Sequence, residues 1–186
     1  MSETWRLFVA IPLEGLAAEP LRATRSEWER RLPGLRWVGA EQLHLTLRFL
    51  GESPPDRVGP LLERLERVER PATGAPLRLA GGGAFPQPAR ARVLWWGLAA
   101  EWLEPLARQV EEAVRAAGWP AEERRFVGHL TVARVRGGGS LDARPLLTGW
   151  QDRLWATGAV SEFVLYRSQL RPQGPLYTPL ARFAFR

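Results

Sequence analysis

The sequence predicts an α+β protein built from a duplicated unit, and two observations point to this fold class. Strand-like and helix-like segments follow one another along all 186 residues. The chain has two histidines, and each opens the same four-residue pattern of histidine, leucine, threonine and a branched aliphatic residue. One copy lies in each half of the chain, among strands and an amphipathic helix. The two copies are His44-Leu45-Thr46-Leu47 and His129-Leu130-Thr131-Val132.

Eight segments have the apolar alternation or the short apolar runs that are typical of β-strands. Pro12 ends the first of them, and Val93–Trp96 is apolar enough to be buried on both faces. Three consecutive glycines, Gly81–Gly83, predict an irregular loop that includes Phe85, and a proline-rich connection over 172–175 joins the last two strands. The predicted strands span 7–11, 36–38, 43–50, 77–79, 93–96, 126–135, 163–166 and 177–185.

Four further segments place apolar residues at helical spacing. The clearest is amphipathic, with charged residues opposite an apolar stripe that includes Leu61 and Leu65. Pro33-Gly34 is expected to end the first helix, and Gly118 the third. The predicted helices span 16–32, 58–68, 103–117 and 145–150.

The composition favours one globular domain that spans residues 1–186, because 45% of the residues are hydrophobic and nine are tryptophans. We expect a cytoplasmic protein, since no apolar stretch has membrane-spanning length and no secretory signal is recognisable. Without cysteine, disulfides and thiolate metal sites are excluded. All 26 cationic side chains are arginines and the net charge is +6. This charge favours a phosphate-bearing partner, although a solvated basic surface explains any single arginine outside the motifs more simply.

The alternation of side chains along a strand predicts which motif residues face a cleft. In the first copy it places His44, Thr46 and Arg48 on one face. The other face is apolar, with Leu43, Leu45, Leu47 and Phe49. In the second copy His129 and Thr131 share a face. Arg134 falls on the opposite, core-facing side unless the strand bulges.

Two His-x-Thr pairs on facing strands predict acid–base catalysis on a phosphate without a metal. Histidine donates or accepts protons near neutral pH, and a threonine hydroxyl can donate a hydrogen bond to a phosphate oxygen. A metal site with Glu52 and Asp56 as further ligands is an alternative interpretation. Two histidines make a poor ligand set for a metal when neither cysteine nor an acidic residue stands at ligand spacing from them.

At these residues the chain resembles the 2H phosphoesterase superfamily, which is named after its two His-x-Thr/Ser-x motifs. Within it, the chain is similar to the RNA 2',3'-cyclic phosphodiesterases, also called 2'-5' RNA ligases. The family often has a proline before the second histidine, where this chain has Gly128. The matching segments span nearly the whole chain and are 6–12, 36–38, 41–52, 85–86, 129–134 and 166–170.

The resemblance implies a bilobal fold in which two mainly antiparallel sheets line a central cleft, with helices on the outside. It implies a hydrolase that opens 2',3'-cyclic phosphate ends of RNA to 2'-phosphates without a cofactor or metal. The same site would catalyse a reversible, ATP-independent 2'-5' ligation. His44 would be the proton donor to the leaving 3'-oxygen, and His129 the proton acceptor that activates water. Thr46 and Thr131 would hold the phosphate oxygens.

Further substrate-binding residues implied by the resemblance are Arg134, near the phosphate, and Phe126 or Phe85, stacked on the terminal base. Core packing explains either aromatic equally well. Arg48, on the same predicted face as Thr46, is another candidate. We expect a monomer that binds RNA with a 2',3'-cyclic phosphate end, such as a tRNA fragment, and no membrane. Two other functions stay open: a phosphodiesterase for small cyclic nucleotides or ADP-ribose cyclic phosphate, and a non-enzymatic phosphate-binding module.

Overall fold

The strands pair into one continuous antiparallel sheet. The computed structural model describes residues 3–172 and 174–186, so Gln173 of the predicted 172–175 connection lies outside the described residues. Across those residues the sheet order is β7-β4-β5-β6-β3-β1-β8-β9, and β2 pairs with the end of β6. The strands are β1 (Trp5–Pro12), β2 (Leu35–Trp37), β3 (His44–Ser53), β4 (Ala75–Phe85), β5 (Val93–Ala99), β6 (His129–Val135), β7 (Leu154–Val160), β8 (Glu162–Gln169) and β9 (Leu176–Ala184).

The four predicted helices form, and they pack against the sheet and against each other. They are α1 (Glu14–Trp28), α2 (Val58–Glu66), α3 (Leu103–Ala116) and α4 (Arg144–Thr148). The first helix ends earlier than predicted, and a turn leads from it to Pro33. Gly118 follows α3 with a φ of +95°, a left-handed conformation that glycine adopts at helix ends without steric cost. Contacts join α1 to β7, α2 to α3 and β9, and α3 to β3.

The predicted pair of separate sheets is wrong, because two groups of strands join edge to edge. We call β1, β3, β8 and β9 the terminal strand group, and β4 to β7 the middle strand group. They meet where Leu45 of β3 pairs with Leu130 of β6. Both leucines are fully buried and belong to one hydrophobic core that extends beneath both groups. Because β3 pairs with β1 and β6, and β6 pairs with β5 and β3, neither histidine strand is a sheet edge.

The two strand groups do not correspond to the two halves of the chain. The terminal strand group combines strands from both ends of the sequence, and the middle strand group takes the strands between them. One order nevertheless occurs twice, apart from the short β2 that precedes β3: a strand, a helix, and then a histidine strand that pairs with the first, as β1–α1–β3 and β5–α3–β6. The expected duplication stays a prediction that this repeated order supports.

The loop predicted at the three glycines is also wrong, because β4 continues through them to Phe85. A Cβ atom on Gly82 would lie 2.7 Å from the Trp150 ring, and one on Gly83 would overlap the Trp95 ring. The glycines therefore let two tryptophan rings approach the strand closely. In β5 buried residues alternate with half-buried ones such as Trp95, whereas the sequence predicted burial or near-burial on both faces.

Two further differences concern strands with a weak sequence signal. β7 was not predicted, since its sequence LWATGAV exposes several small residues and has no sustained alternation. β6 begins at His129, so Phe126 lies in the preceding irregular segment and not in the strand as predicted. None of the helices in the described residues is both long enough and apolar enough to span a membrane.

Candidate active site

Both histidine strands break their register at the same place in the motif. Along β1 and β3, Val9 pairs with Arg48 and Ala10 with Thr46, which leaves Leu47 as an extra residue. Along β5 and β6, the register shifts in the same way and leaves Val132 as the extra residue. A bulge of this kind reverses which face the following side chains occupy. The fourth residue of each motif is therefore the point where strict alternation ends.

The bulges explain three outcomes that alternation alone predicted differently. Arg48 is buried, at 8% exposure, and Phe49, predicted in the core, is 37% exposed. In β6 the equivalent positions are a buried Ala133 and an exposed Arg134. The predicted exception applies: β6 bulges at Val132, and the bulge turns Arg134 away from the core. Its charge lowers the pKa of Tyr177 and of both histidines, so it lies near all three groups.

The pairing of Leu45 with Leu130 sets the two motifs crosswise. In an antiparallel pair, the residue before one partner lies opposite the residue after the other. His44 therefore lies opposite Thr131, and Thr46 lies opposite His129. Each imidazole faces the hydroxyl of the other motif, and all four side chains are half-buried. The structure brings together the four groups that the sequence predicted as one site.

The same local hydrogen bond orients both imidazoles. His44 Nδ1 lies 2.6 Å from the backbone oxygen of Gln42, and His129 Nδ1 lies 2.7 Å from that of Val127. A carbonyl oxygen only accepts, so Nδ1 donates its proton in both bonds. The other ring nitrogen, Nε2, is left for chemistry in the cleft. The two imidazoles therefore present the same nitrogen, Nε2, to the cleft.

Aromatic rings surround each imidazole. Phe8 and Tyr177 lie 5.1 and 5.2 Å from the ring of His44 between ring centroids. Phe85 and Trp95 lie 5.1 and 6.1 Å from the ring of His129. Of these four rings, the sequence had assigned only Phe85 to the site. The others could not be assigned from a strand pattern, because their strands approach the motifs only through sheet pairing.

Burial lowers the pKa of both imidazoles below its ordinary value of 6.5. The bonds to the Gln42 and Val127 carbonyls act in the opposite direction. The positive charge of Arg134 lowers both pKa values further, and His129 adds to this for His44. Both imidazoles are therefore mainly neutral at pH 7 in the free protein, and binding of a phosphate anion would favour protonation.

We expect Arg134→Gln to raise the pKa of both histidines, because it removes a positive charge that faces them. A titration of the imidazole resonances by NMR measures this directly, with Arg78→Gln on the exposed side of β4 as the control. The wild-type values should both lie below 6.5. Because folding lowers both pKa values, the neutral imidazoles contribute their full share to the free energy of unfolding above about pH 6.5. That share is lost as the pH falls through the lowered pKa values of the folded state. Unchanged histidine titrations in Arg134→Gln would place that arginine outside the cleft.

Arg48 lines the same cavity as Thr46 and His129, but protein groups occupy its guanidinium, so its role in substrate binding stays a prediction. Its Nε donates to Glu111, its Nη1 to the backbone oxygen of Phe49, and its Nη2 to that of Pro120 at 2.6 Å. The carboxylate of Glu122 lies 3.5 Å from Nη1. Arg48 thus links β3 to α3 and to the segment before β6.

A cavity of about 900 Å³ opens beside the motifs where β3 and β6 diverge beyond their single paired position. We call it the His129-side cavity, because among the four motif side chains its lining includes Thr46 and His129. Phe85 and Phe126 also line it, along with Phe49 and the first half of α3. Phe85 stacks on Trp95 at 5.3 Å between ring centroids, so one face of its ring is covered.

The alternative metal site finds no ligand set in the structure. Glu52 accepts a hydrogen bond from Thr4 Oγ1 at 3.2 Å, near the far end of β3. Across the ranges 3–172 and 174–186, no three or more His, Cys, Asp or Glu side chains are grouped as metal ligands.

A cleft with two opposed imidazoles, two hydroxyls and an arginine is typical of enzymes that move protons around a phosphate ester. The family model for LigT-like phosphoesterases matches residues 11–95 and 98–177. This chain therefore belongs to the LigT-like phosphoesterase family, within the 2H superfamily that the sequence predicted.

Similarity to individual proteins extends over nearly the whole chain. An RNA 2',3'-cyclic phosphodiesterase of Thermus thermophilus is 37% identical over 196 residues, covering 97% of this chain and 90% of the relative. One of Geobacillus stearothermophilus is 32% identical over 177 residues, which are 95% of this chain. This chain spans only 56% of the length of that relative. The crystal structure of E. coli LigT complexed with 3'-AMP matches with a TM-score of 0.74 and 30% identity, over 98% of this chain and 99% of that one.

Proposed function

We propose that the protein hydrolyses 2',3'-cyclic phosphate ends of RNA to 2'-phosphates. The crosswise arrangement of the motifs carries this proposal, because it offers one imidazole on each side of a single phosphate. The names of the Thermus and Geobacillus relatives support a cyclic phosphate at the end of RNA as the substrate. The complex of the E. coli relative with 3'-AMP supports a nucleotide as the ligand.

In the proposed mechanism His44 is the acid and His129 is the base. Neutral His129 accepts a proton at Nε2 from water as the water oxygen attacks phosphorus opposite the 3'-oxygen. Protonated His44 donates from Nε2 to the leaving 3'-oxygen, and the bond to the 2'-oxygen stays intact. Thr46 and Thr131 donate hydrogen bonds to the non-bridging oxygens, and Arg134 compensates the charge that develops on them. The cycle closes when His129 loses its proton and His44 regains one.

This assignment of roles also orients the substrate. The leaving 3'-oxygen belongs to the terminal ribose, so the terminal nucleoside lies on the His44 side, near Tyr177 and Arg134. Phe85 and Phe126 line the cavity on the other side of the phosphate. In this proposal they no longer stack on the terminal base, which was their role in the sequence analysis.

The proposal extends to the rest of the chain. The cleft takes one histidine from each strand group, so residues 1–186 act as one functional domain. The proposed enzyme is a cytoplasmic monomer that acts on RNA ends such as those of tRNA fragments. A 5'-hydroxyl RNA end in place of water would give the ATP-independent 2'-5' ligation.

An oligoribonucleotide that ends in a 2',3'-cyclic phosphate tests the proposal. We expect turnover in the presence of EDTA and a product with a 2'-phosphate, identified by mass spectrometry after digestion and by phosphorus NMR. A 3'-phosphate product would overturn the assignment of the leaving oxygen. Salt-sensitive binding without a product would indicate a phosphate-binding module.

A comparison of substrates tests the RNA specificity. The oligonucleotide should have a higher kcat/KM than a cyclic mononucleotide or ADP-ribose cyclic phosphate. The reverse order would indicate a small-molecule phosphodiesterase.

A further inference from the structure

The beginning of β9 lies against the beginning of β3, although β1 and β8 separate these two strands in the sheet. Neighbouring strands lie about 4.8 Å apart, so β3 and β9 would be about 14 Å apart in a flat sheet. The rings of His44 and Tyr177 nevertheless lie 5.2 Å apart between centroids, and Phe8 contacts both. The terminal strand group therefore curls at this end and brings its two outer strands together.

One side-chain hydrogen bond joins these two strand ends directly. The amide Nε2 of Gln42 donates to the backbone oxygen of Pro175 at 2.8 Å. Gln42 lies two residues before His44, and Pro175 lies two residues before Tyr177. The bond therefore connects the two segments whose rings face each other, without passing through β1 or β8.

Gly174 shows how closely the two segments pack. A Cβ atom at this position would lie 3.2 Å from Nε2 of Gln42 and 2.9 Å from Nη2 of Arg36. The φ of Gly174 is +131°, a conformation in which a side chain would also strain the backbone. The missing side chain thus lets the chain before β9 pack on the Gln42 amide.

The main chain of Gln42 acts on His44 at the same time. Its backbone oxygen accepts the hydrogen bond from His44 Nδ1 that orients the imidazole. This oxygen belongs to a single turn over Ala40–Gln42 in which no residue is buried, so core packing does not fix the turn. The bond from the Gln42 side chain to Pro175 is therefore a contact that can hold the oxygen in place.

The second motif cannot have an equivalent bond. Its orienting oxygen belongs to Val127, whose apolar side chain is 45% exposed and has no donor. The next residue, Gly128, is held by its main chain instead, since its oxygen accepts from the backbone nitrogen of Leu98 at 3.0 Å. Loss of the Gln42 amide should therefore affect one imidazole and spare the other.

We propose that the side chain of Gln42 is a positioning residue for His44. By holding Pro175, it keeps the carbonyl oxygen that orients the imidazole and the Tyr177 ring that covers it in one fixed arrangement. In this role the amide does not contact the reacting atoms and acts through His44 alone. The inference rests on the proposed function and extends it, because Gln42 keeps Nε2 of the proposed acid directed at the leaving 3'-oxygen.

Replacing Gln42 with methionine removes the donor and nearly keeps the volume of the side chain. We expect kcat for a 2',3'-cyclic phosphate to fall about tenfold, because a misplacement of about 1 Å can slow a reaction by up to about 100-fold. Gln109→Met is the matched control, since it removes another amide contact, from the backbone nitrogen of Glu69 to Oε1 of Gln109 on α3. It should leave kcat unchanged, and thermal unfolding shows whether both variants are folded.

Titration of the imidazole resonances by NMR reports on the surroundings of His44 directly. Burial is the main cause that lowers its pKa, so a looser Tyr177 ring should raise that pKa toward 6.5 in the methionine variant. Arg134 and His129 on β6 also lower the pKa of His44, and neither is replaced. The pKa of His129 should therefore stay as it is in the wild type.

A double-mutant cycle separates positioning from a general structural effect. If Gln42 acts through His44, Gln42→Met should not slow the residual single-turnover reaction of His44→Ala any further. A slower reaction of the double variant would overturn the proposal, as would an unchanged kcat or an unchanged His44 pKa in Gln42→Met. Gly174→Ala separates the same two segments from the other side, so it should change kcat and the His44 pKa in the same directions.

Failure of the proposed function would have a different signature. A wild-type protein that does not hydrolyse the cyclic phosphate would reject that function. The NMR comparison needs no substrate and still decides the positioning. A raised His44 pKa in Gln42→Met would then support the contact with Pro175, and an unchanged one would reject the inference as well.

Discussion

Replacing either His44 or His129 with alanine is expected to lower kcat for a 2',3'-cyclic phosphate by about 10²–10⁴-fold, the usual contribution of a positioned acid or base. The two effects should be similar, because each imidazole carries one of the two proton transfers. Product analysis under saturating substrate measures kcat for each variant, and thermal unfolding shows whether the fold is kept.

The double variant is the sharper control for this result. Two groups that act as one unit have non-additive effects, so His44→Ala combined with His129→Ala should be little slower than either single change. Affinity for the 2'-phosphate product should largely persist, since Thr46, Thr131 and Arg134 remain. A single variant that keeps more than about a tenth of the activity would contradict a two-histidine mechanism.

Replacing Arg48 with methionine should destabilise the protein by about 3 kcal/mol, which corresponds to a fall in Tm of roughly 6–12 °C. The change leaves the carboxylates of Glu111 and Glu122 facing each other without their shared cation. Their side chains are 24% and 28% exposed, so solvent compensates part of the loss. Calorimetry measures the Tm, and the exposed Arg78→Met on β4 is the matched control.

Two further variants separate charge from shape at Arg48. Arg48→Lys keeps the charge but cannot reach both carbonyl oxygens, so it should restore only part of the stability. Combining Arg48→Met with Glu111→Gln should recover some of the loss, because one unpaired carboxylate is removed. An unchanged Tm in Arg48→Met would mean that this network contributes nothing to the folded state.

The sequence alone predicted that the two histidines and two threonines share one site. Two His-Leu-Thr patterns, each on a strand whose side chains alternate between two faces, leave few other arrangements. It failed from the fourth motif residue onward. The bulges at Leu47 and Val132 depend on pairing with β1 and β5, and no local pattern encodes that pairing. The exposure of the next two side chains was consequently predicted the wrong way round, since Arg48 is buried and Phe49 is exposed. The ring of Tyr177 was also missed, since it reaches His44 from the opposite end of the chain.

The sequence predicted most of the strands but did not predict that they join into one sheet. Apolar runs were enough to place eight of the nine strands found in the described residues. The single contact between Leu45 and Leu130 that merges two expected sheets is indistinguishable in sequence from any other pair of buried leucines. The part of β4 that runs through Gly81–Gly83 was not predicted, because consecutive glycines predict a turn or loop. Nothing local in the sequence shows that large rings lie against these glycines.

The composition of the terminal strand group has a consequence for the order in which a growing chain can fold on the ribosome. Every strand of the middle strand group has been synthesised once Val160 is made, whereas β1 waits for β8 and His44 waits for Tyr177. Until then β1 has an open edge that can pair with other chains. The histidine motif that is translated first therefore completes its surroundings last, and a nascent chain would gain its activity only near the end of translation.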